Sequence, residues 1–431
     1  MPRCAVPVVF PLVLVLCFAA SSSRAGSRAY GEHFIRLGQY WGEETIVRPG
    51  PPGGQAEDAD VQKYQQQMLA LEEAGGPYAD MLAEPLMGMG WHYRQQGELE
   101  QALGSFQRAL HVVRINDGLY SERQLPIVQA LLDVYRSRGE YESLDERYDY
   151  YFRLFGSGKP PFTDIRLRAA LAYLRWQREA LRLEIDEEEG RRLFALYRLN
   201  EGLLKAVAAD SSVPWHWYRD LALSQLKNLY LVQDRVAATV HSNGLSLSRQ
   251  AMQAEWEEKD INKKQLERIQ RDGAPQGSRL LDETIRRYDG PSDSVELARL
   301  YLAKGDWYQW LGREQQANSV YQLVEELLAG SGREDLRQQW LGHPVELPDN
   351  GAFWQPSASP TPAVAAVIKL QYDVSARGRV RNLSAQADES VSKGKVAGLK
   401  RRFRKVRFRP RWHSGAGQAV QQLQREYVLL N

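Results

Sequence analysis

The densest chemical feature of the sequence is a basic run. Lys393, Lys395, Lys400, Arg401, Arg402, Arg404, Lys405, Arg407, Arg409 and Arg411 fall within one short stretch that contains no acidic residue. Such a run attracts anions, here an acidic protein face, anionic lipid headgroups or cell-wall polymer. The plainer reading is a solvated basic face. Other chemistry-bearing residues are scattered. The seven histidines (His33, His92, His111, His216, His241, His343, His413) show no pair at metal-ligand spacing. The acidic segment Glu184–Glu189 lacks the loop glycine and ligand rhythm of a calcium site, and reads as a solvated helix face. Trp215, His216, Trp217 and Tyr218 would make either a sugar platform or, as is usual at helical spacing, a packing cluster. There is no nucleophile elbow, phosphate loop or dinucleotide fingerprint. The expectation is therefore a binding protein: no enzyme, no cofactor, no metal.

The elements that must position these residues begin after an export signal. Arg3, the apolar stretch Ala5–Ala20 and the small residues flanking Arg24 predict a signal peptide over 1–25, cleaved near Ala25. The apolar stretch is shorter than the roughly 20 residues a spanning helix wants. Leu14–Leu16 before Cys17 lacks the small residue that a lipoprotein site prefers. Both cysteines, Cys4 and Cys17, lie in this segment, so cleavage leaves a chain without thiols or disulfides.

Residues 26–60 read as an N-terminal segment ending in the Pro/Gly-rich stretch from Arg48 to Asp60. A Leu/Ala/Gln/Glu/Arg-rich region with helical spacing follows over 61–343. Within it, 165–209 and 215–240 read as paired helices, and Ser246–Arg271 as a long charged helix. Residues 344–363 form a Pro-rich linker. Over 364–431 the period changes to that of strands: Ile368–Val374 alternates, Val380–Ala385 returns, Glu389–Arg404 is helical, and Val406–Arg409 and Val420–Leu429 are strands. The fold expected is mainly α, with a small α+β tail of order ββαββ.

The helical region repeats itself. From Gly90, the residues Tyr93, Gly97, Ala102, Phe106 and Ala109 fall at offsets 3, 7, 12, 16 and 19. Leu132, Tyr135, Gly139, Leu144, Tyr148 and Tyr151 reproduce that frame, as do Gly305, Tyr308, Gly312, Ala317, Tyr321 and Val324. Small residues let two antiparallel helices approach, the central Gly opens the turn, and the aromatics fill the space between. This pattern resembles the tetratricopeptide repeat, which implies a helical solenoid whose groove binds a peptide or helix of another protein. Polar residues of the first helices, such as Gln95, Arg136 and Gln309, are the expected contacts.

The tail resembles the C-terminal domain of TonB-type energy transducers. Ile368–Ser375, the turn Arg377–Val380, Arg407-Phe408-Arg409-Pro410-Arg411 with Gly417, and the final Tyr427–Leu429 carry the resemblance. In that family the strands pair with a short segment of an outer-membrane receptor. Together the two resemblances imply a periplasmic scaffold of the cell envelope, gripping one protein in the repeat groove and docking a second on the basic tail. A membrane surface is also open to that tail; nucleic acid is not expected. The alternative is an uncleaved segment anchoring the chain in the inner membrane as an accessory energy transducer acting on outer-membrane transport.

Overall fold

A computed structural model of the chain describes residues 28–30, 36–37, 58–183, 185, 189–242, 253–291, 294–353, 364–387 and 391–430. The signal segment, the first Pro/Gly-rich residues, most of the acidic run 184–189 and the second half of the expected linker lie outside those residues. What is described is mainly helical, with a small sheet-containing C-terminal region.

Among the described residues, twelve helices fall between residues 58 and 341: α1 (Asp58–Gly75), α2 (Ala83–Gln95), α3 (Leu99–Asp117), α4 (Leu125–Arg138), α5 (Tyr141–Leu154), α6 (Asp164–Leu183), α7 (Glu189–Ala209), α8 (Trp215–Ser242), α9 (Gln253–Arg286), α10 (Val295–Trp310), α11 (Glu314–Gly330) and α12 (Glu334–Leu341). Successive helices pack on one another, and α9 also rests against α7. One apolar core joins α2 to α6, and a second runs from α5 to α9 and takes in Trp307 of α10.

Three helix pairs, α2–α3, α4–α5 and α10–α11, are joined by the same turn. Gly97, Gly139 and Gly312 all have left-handed φ, between +71° and +79°. Each donates its N–H to the carbonyl three residues back, and the following residue donates to the tyrosine carbonyl five back: Glu98 to Tyr93, Glu140 to Tyr135, Arg313 to Tyr308. This is a Schellman-type helix end, where the left-handed residue favours glycine. The same donor pattern recurs at Gly332 between α11 and α12, with Arg333 donating to the Leu328 carbonyl. That copy has no aromatic at the tyrosine position, so the repeat frame passes over it.

Close approach explains the small residues. A side chain at Gly90 would overlap the ring of Phe106, and one at Gly305 would overlap Tyr321. Ala102, Ala109, Leu144 and Ala317 have no exposed surface, nor do Phe106 and Tyr321. A Gly90→Ala variant is expected to lose about 1–3 kcal/mol by overpacking. Gly104, exposed on α3 with open space around it, should gain up to about 1 kcal/mol as alanine from helix propensity. Paired urea melts of the two variants check the contrast, which is one of packing against intrinsic propensity.

Helix α9 runs past Arg271, where the sequence led us to end it, through Pro275 to Arg286. Tertiary packing outweighs the break: Trp307 lies where a side chain at Gly277 would be, and its Nε1 donates to the Ala274 carbonyl at 3.2 Å.

The strands are β1 (Arg28–Tyr30), β2 (Arg36–Leu37), β3 (Val345–Glu346), β4 (Val364–Val374), β5 (Val380–Ala387), β6 (Phe408–Arg409), β7 (Arg411–His413), β8 (Ala416–Gln418) and β9 (Val420–Leu430), with helix α13 (Lys393–Phe403) between β5 and β6. The main sheet has the order β2-β1-β9-β4-β5. Strand β4 is antiparallel to both β5 and β9, and β1 adds in parallel beside Tyr427–Leu429. Ile368, Leu370, Tyr372, Val374 and Tyr427 pack beneath Leu399 and Phe403 of α13.

The expected ββαββ order needs correction at its fourth element. Strand β6 leaves the main sheet and pairs with β3, which belongs to the stretch read as linker. Leu347 and Ala352 are fully buried and Phe353 nearly so, so residues 344–353 are packed structure. Pro344 and Pro348 confine the strand here to the two residues Val345–Glu346, but they do not forbid burial of the apolar residues around them.

Candidate functional site

The basic run does not form one surface. Helix α13 turns Leu399 and Phe403 into the core, which leaves Lys393, Lys395, Arg401, Arg404, Lys405 and Arg411 exposed and Lys400, Arg402 and Arg407 half-buried. Burial, together with the nearby Arg379, pulls the Arg407 guanidinium below its usual range. Arg409 is no part of any exposed face. It is 3% exposed and forks onto Asp306 of α10, with Nε to Oδ1 at 2.8 Å and Nη2 to Oδ2 at 2.7 Å. Its Nη1 donates to the Trp340 carbonyl at 2.7 Å. Burial works against the charge, yet Asp306 more than offsets it and holds the Arg409 pKa above its ordinary value. Phe408, Arg409 and Pro410 are all buried, Phe408 in the core of the sheet and Arg409 against the helices, and the run of like charges conceals it.

Around this pair the tail is seated on the third helix hairpin. Tyr321 Oη donates to Asp306 at 2.9 Å. Gln309 Nε2 donates to the carbonyls of Arg377 and Phe408, both at 2.9 Å. Arg379 donates to Glu314 at 3.0 Å. The β7–β8 hairpin turns at Ser414 and Gly415, both with positive φ as a tight two-residue turn requires, and carries Trp412 into the α10–α12 core. Trp412 Nε1 and the Gly415 N–H both donate to Glu325, at 3.1 and 2.9 Å. The tail is thus fixed to the helices by buried polar contacts and one inserted tryptophan.

Other expected contacts have structural partners. Gln309 is 2% and Arg136 3% exposed. Arg136 pairs with Glu179 and lies over Trp176, which stacks on Tyr148 at 5.0 Å. Gln95 is exposed. In the aromatic cluster, Trp217 and Tyr218 are buried, Trp217 Nε1 donates to Asp164 at 2.9 Å, and Trp215 meets Tyr288 edge-on; the cluster packs and forms no flat platform. Among the described residues no group of three or more His, Cys, Asp or Glu could hold a metal ion, and no helix is long and apolar enough to cross a membrane.

A patch that the sequence reading missed lies at one end of the first helix pair. Tyr78, Met81, Ile115, Leu119 and Tyr120 are all about half exposed or more, Tyr120 at 80%. Asn116 bonds the Tyr78 carbonyl, and Arg123 ties Asp80 to Asp117, which holds the two loops together. Exposed apolar side chains grouped in this way mark interaction surfaces. In sequence they look like ordinary amphipathic residues near loops.

In the sheet, Asp373 of β4 bridges its two neighbours. It accepts from the Gln422 N–H at 2.8 Å and from Asn382, and both partners have left-handed φ. Those two bonds hold its carboxyl below the usual range, the Gln422 N–H being the larger cause. A depressed carboxylate pKa stabilises the fold above the unfolded value, and that stabilisation is lost as pH falls through the folded value. The stability gap between the natural chain and Asp373→Ala should therefore be full at neutral pH and close progressively below about pH 4, as read by thermal melts across pH.

The chain matches no protein-family model and no curated protein.

Proposed function

We propose that the protein is an exported, periplasmic interaction scaffold of the cell envelope. On this reading its helical region is a tetratricopeptide-type solenoid, and its C-terminal sheet a TonB-like unit that presents a second binding surface. The observation that carries the reading is the threefold recurrence of the tyrosine-to-glycine turn, joined in two of the three copies by a glycine set against a buried aromatic, Gly90 with Phe106 and Gly305 with Tyr321. Stacked hairpins of this kind bury their cores against each other and leave long outer faces available to partners. The exposed apolar patch around Tyr120 and the exposed cations of α13 supply such faces. The buried Asp306–Arg409 pair would make the two parts a single platform, holding two partners at a fixed distance.

Fractionation of cells followed by N-terminal sequencing tests the address. A soluble periplasmic chain starting near Gly26 is expected. An inner-membrane chain starting at Met1 would overturn the scaffold reading in favour of a membrane-anchored transducer.

A further inference from the structure

The exposed apolar patch lies at the end of the first helix hairpin. It is built by two loops, 76–82 between α1 and α2 and 118–124 between α3 and α4, with the last turn of α3. Helix α2 runs from the first loop to the Gly97 turn, and α3 returns from that turn to the second, so both loops lie at the opposite end of the hairpin. Three contacts hold them side by side. Asn116 donates to the Tyr78 carbonyl at 2.9 Å, the Tyr78 ring meets His111 edge-on at 5.3 Å, and Arg123 bridges Asp80 and Asp117 at 2.9 and 2.8 Å. Tyr78, Met81, Ile115, Leu119 and Tyr120 are left exposed.

The rim of this patch is acidic. Residues 72–84 and 115–123 contain six acids, Glu72, Glu73, Asp80, Glu84, Asp117 and Glu122, against one base, Arg123. Both stretches lie wholly within the described residues. The neighbouring cations are already engaged. Arg123 is held by its two carboxylates, Arg108 by Glu72, and Arg114 by Gln124 and the Tyr150 hydroxyl, each at 3.3 Å. Glu73, Glu84 and Glu122 are exposed, and none of them pairs with a cation among the described residues.

Charge and local geometry separate the candidate occupants. A second copy joined patch to patch would bring two acidic rims together, which like-charge repulsion opposes. The basic α13 of a second copy would match the charge, but its large apolar residues Leu399 and Phe403 are buried and cannot cover the exposed rings. The same carboxylates repel an anionic lipid surface. A strand finds no sheet edge here, because the patch is made of helix ends and turns. A helix needs no backbone partner, and it can set an apolar stripe on the patch with cations on its flanks. We propose that this end of the helical region binds a basic amphipathic helix of another protein. Its apolar stripe covers Tyr78, Met81, Ile115, Leu119 and Tyr120, and its Lys or Arg residues meet Glu73, Glu84 and Glu122. The proposal rests on the scaffold reading and gives one partner a chemistry and a place.

The test uses the exported chain and a fluorescein-labelled, end-capped peptide of about 20 residues, long enough to form a helix. It repeats Leu-Lys-Lys-Leu-Ala-Ala-Lys, which puts Leu on one face and Lys on both flanks. Anisotropy titration should show saturable binding that is lost when the same residues are shuffled out of helical spacing. Glu73→Lys with Glu122→Lys should weaken it at least about tenfold, and Leu119→Ser with Tyr120→Ser by a similar factor. All four residues are exposed, so both variants should melt with the natural chain. A benzophenone at the centre of the peptide should form adducts that map to 76–82 or 115–124. No saturable binding, equal binding by the shuffled peptide or by either variant, or adducts confined to other helices would overturn the proposal. So would a dimer of the chain alone, or binding to phosphatidylglycerol vesicles, that the Leu119 and Tyr120 substitutions abolish. A cross-link within the chain from Tyr120 to residues 26–57 would assign the patch to the chain's own N-terminal segment and overturn it too. Failure of the peptide with a protein partner still cross-linked at Arg404 would sink this inference and leave the scaffold reading standing; an inner-membrane chain starting at Met1 would do the reverse.

Discussion

Replacing Arg409 by alanine is expected to destabilise the protein by about 3–5 kcal/mol and to loosen the C-terminal sheet from the helices. Among the described residues, the change leaves Asp306 buried with only the Tyr321 hydroxyl as a close donor. It also leaves the Trp340 carbonyl without its guanidinium donor. The penalty comes mostly from the stranded charge, not from the attraction that is lost. Two further variants separate these effects. Arg409→Lys should recover little, because an ammonium cannot fork onto both carboxylate oxygens. Arg409→Met with Asp306→Leu should recover much of the loss, since an apolar pair removes both desolvation costs. Denaturant melts with amide exchange on β4 and α10 provide the readout. A cost below about 1 kcal/mol would place the pair in the class of exposed ion pairs and contradict the burial described here.

Trp412→Ala carries the second large expectation, about 3–5 kcal/mol. The indole is 3% exposed and shares a core with Tyr321, Leu328 and Leu341 of the helices. Truncation opens a cavity between the two parts and leaves the Glu325 carboxylate with one fewer donor. Arg409 and Trp412 both act through the neighbourhood of Tyr321, so their losses should not add. Once either variant has weakened the seat, the second has less to remove, and the double variant should cost clearly less than the sum. Full additivity would mean that the two contacts work independently.

What was legible in the sequence follows physical locality. The glycine turns could be read because a left-handed residue and a close helix approach each restrict residue type at a fixed offset, as at Gly97 and Gly90. The alternation of Ile368–Val374 announced a strand for the same reason. The seat of the tail was not legible. Asp306 and Arg409 are far apart in the chain, and nothing local marks one arginine among ten basic residues as buried. Val345–Glu346 pairs with β6 inside a stretch whose prolines suggest only a tether. Gln309 and Arg136 looked like groove residues because long polar side chains on helices are usually solvated. Both instead satisfy buried partners, which only the assembled helices supply. The continuation of α9 through Pro275 was hidden likewise, since its support comes from Trp307 on another helix.

The basic tail therefore divides into two roles. Arg409 holds it in place, while the exposed cations of α13 face outward. Under the proposed function, those cations and the exposed patch near Tyr120 would serve as two binding faces.

The most direct measurement is photo-cross-linking in living cells, with a benzophenone amino acid placed singly at Tyr120 and at Arg404 of the full chain. Both sites are exposed, so neither substitution disturbs the core. Discrete protein adducts in the envelope fraction are expected from each position, with different partners at the two. Folded, exported protein that yields no protein adduct at either site would contradict the scaffold reading.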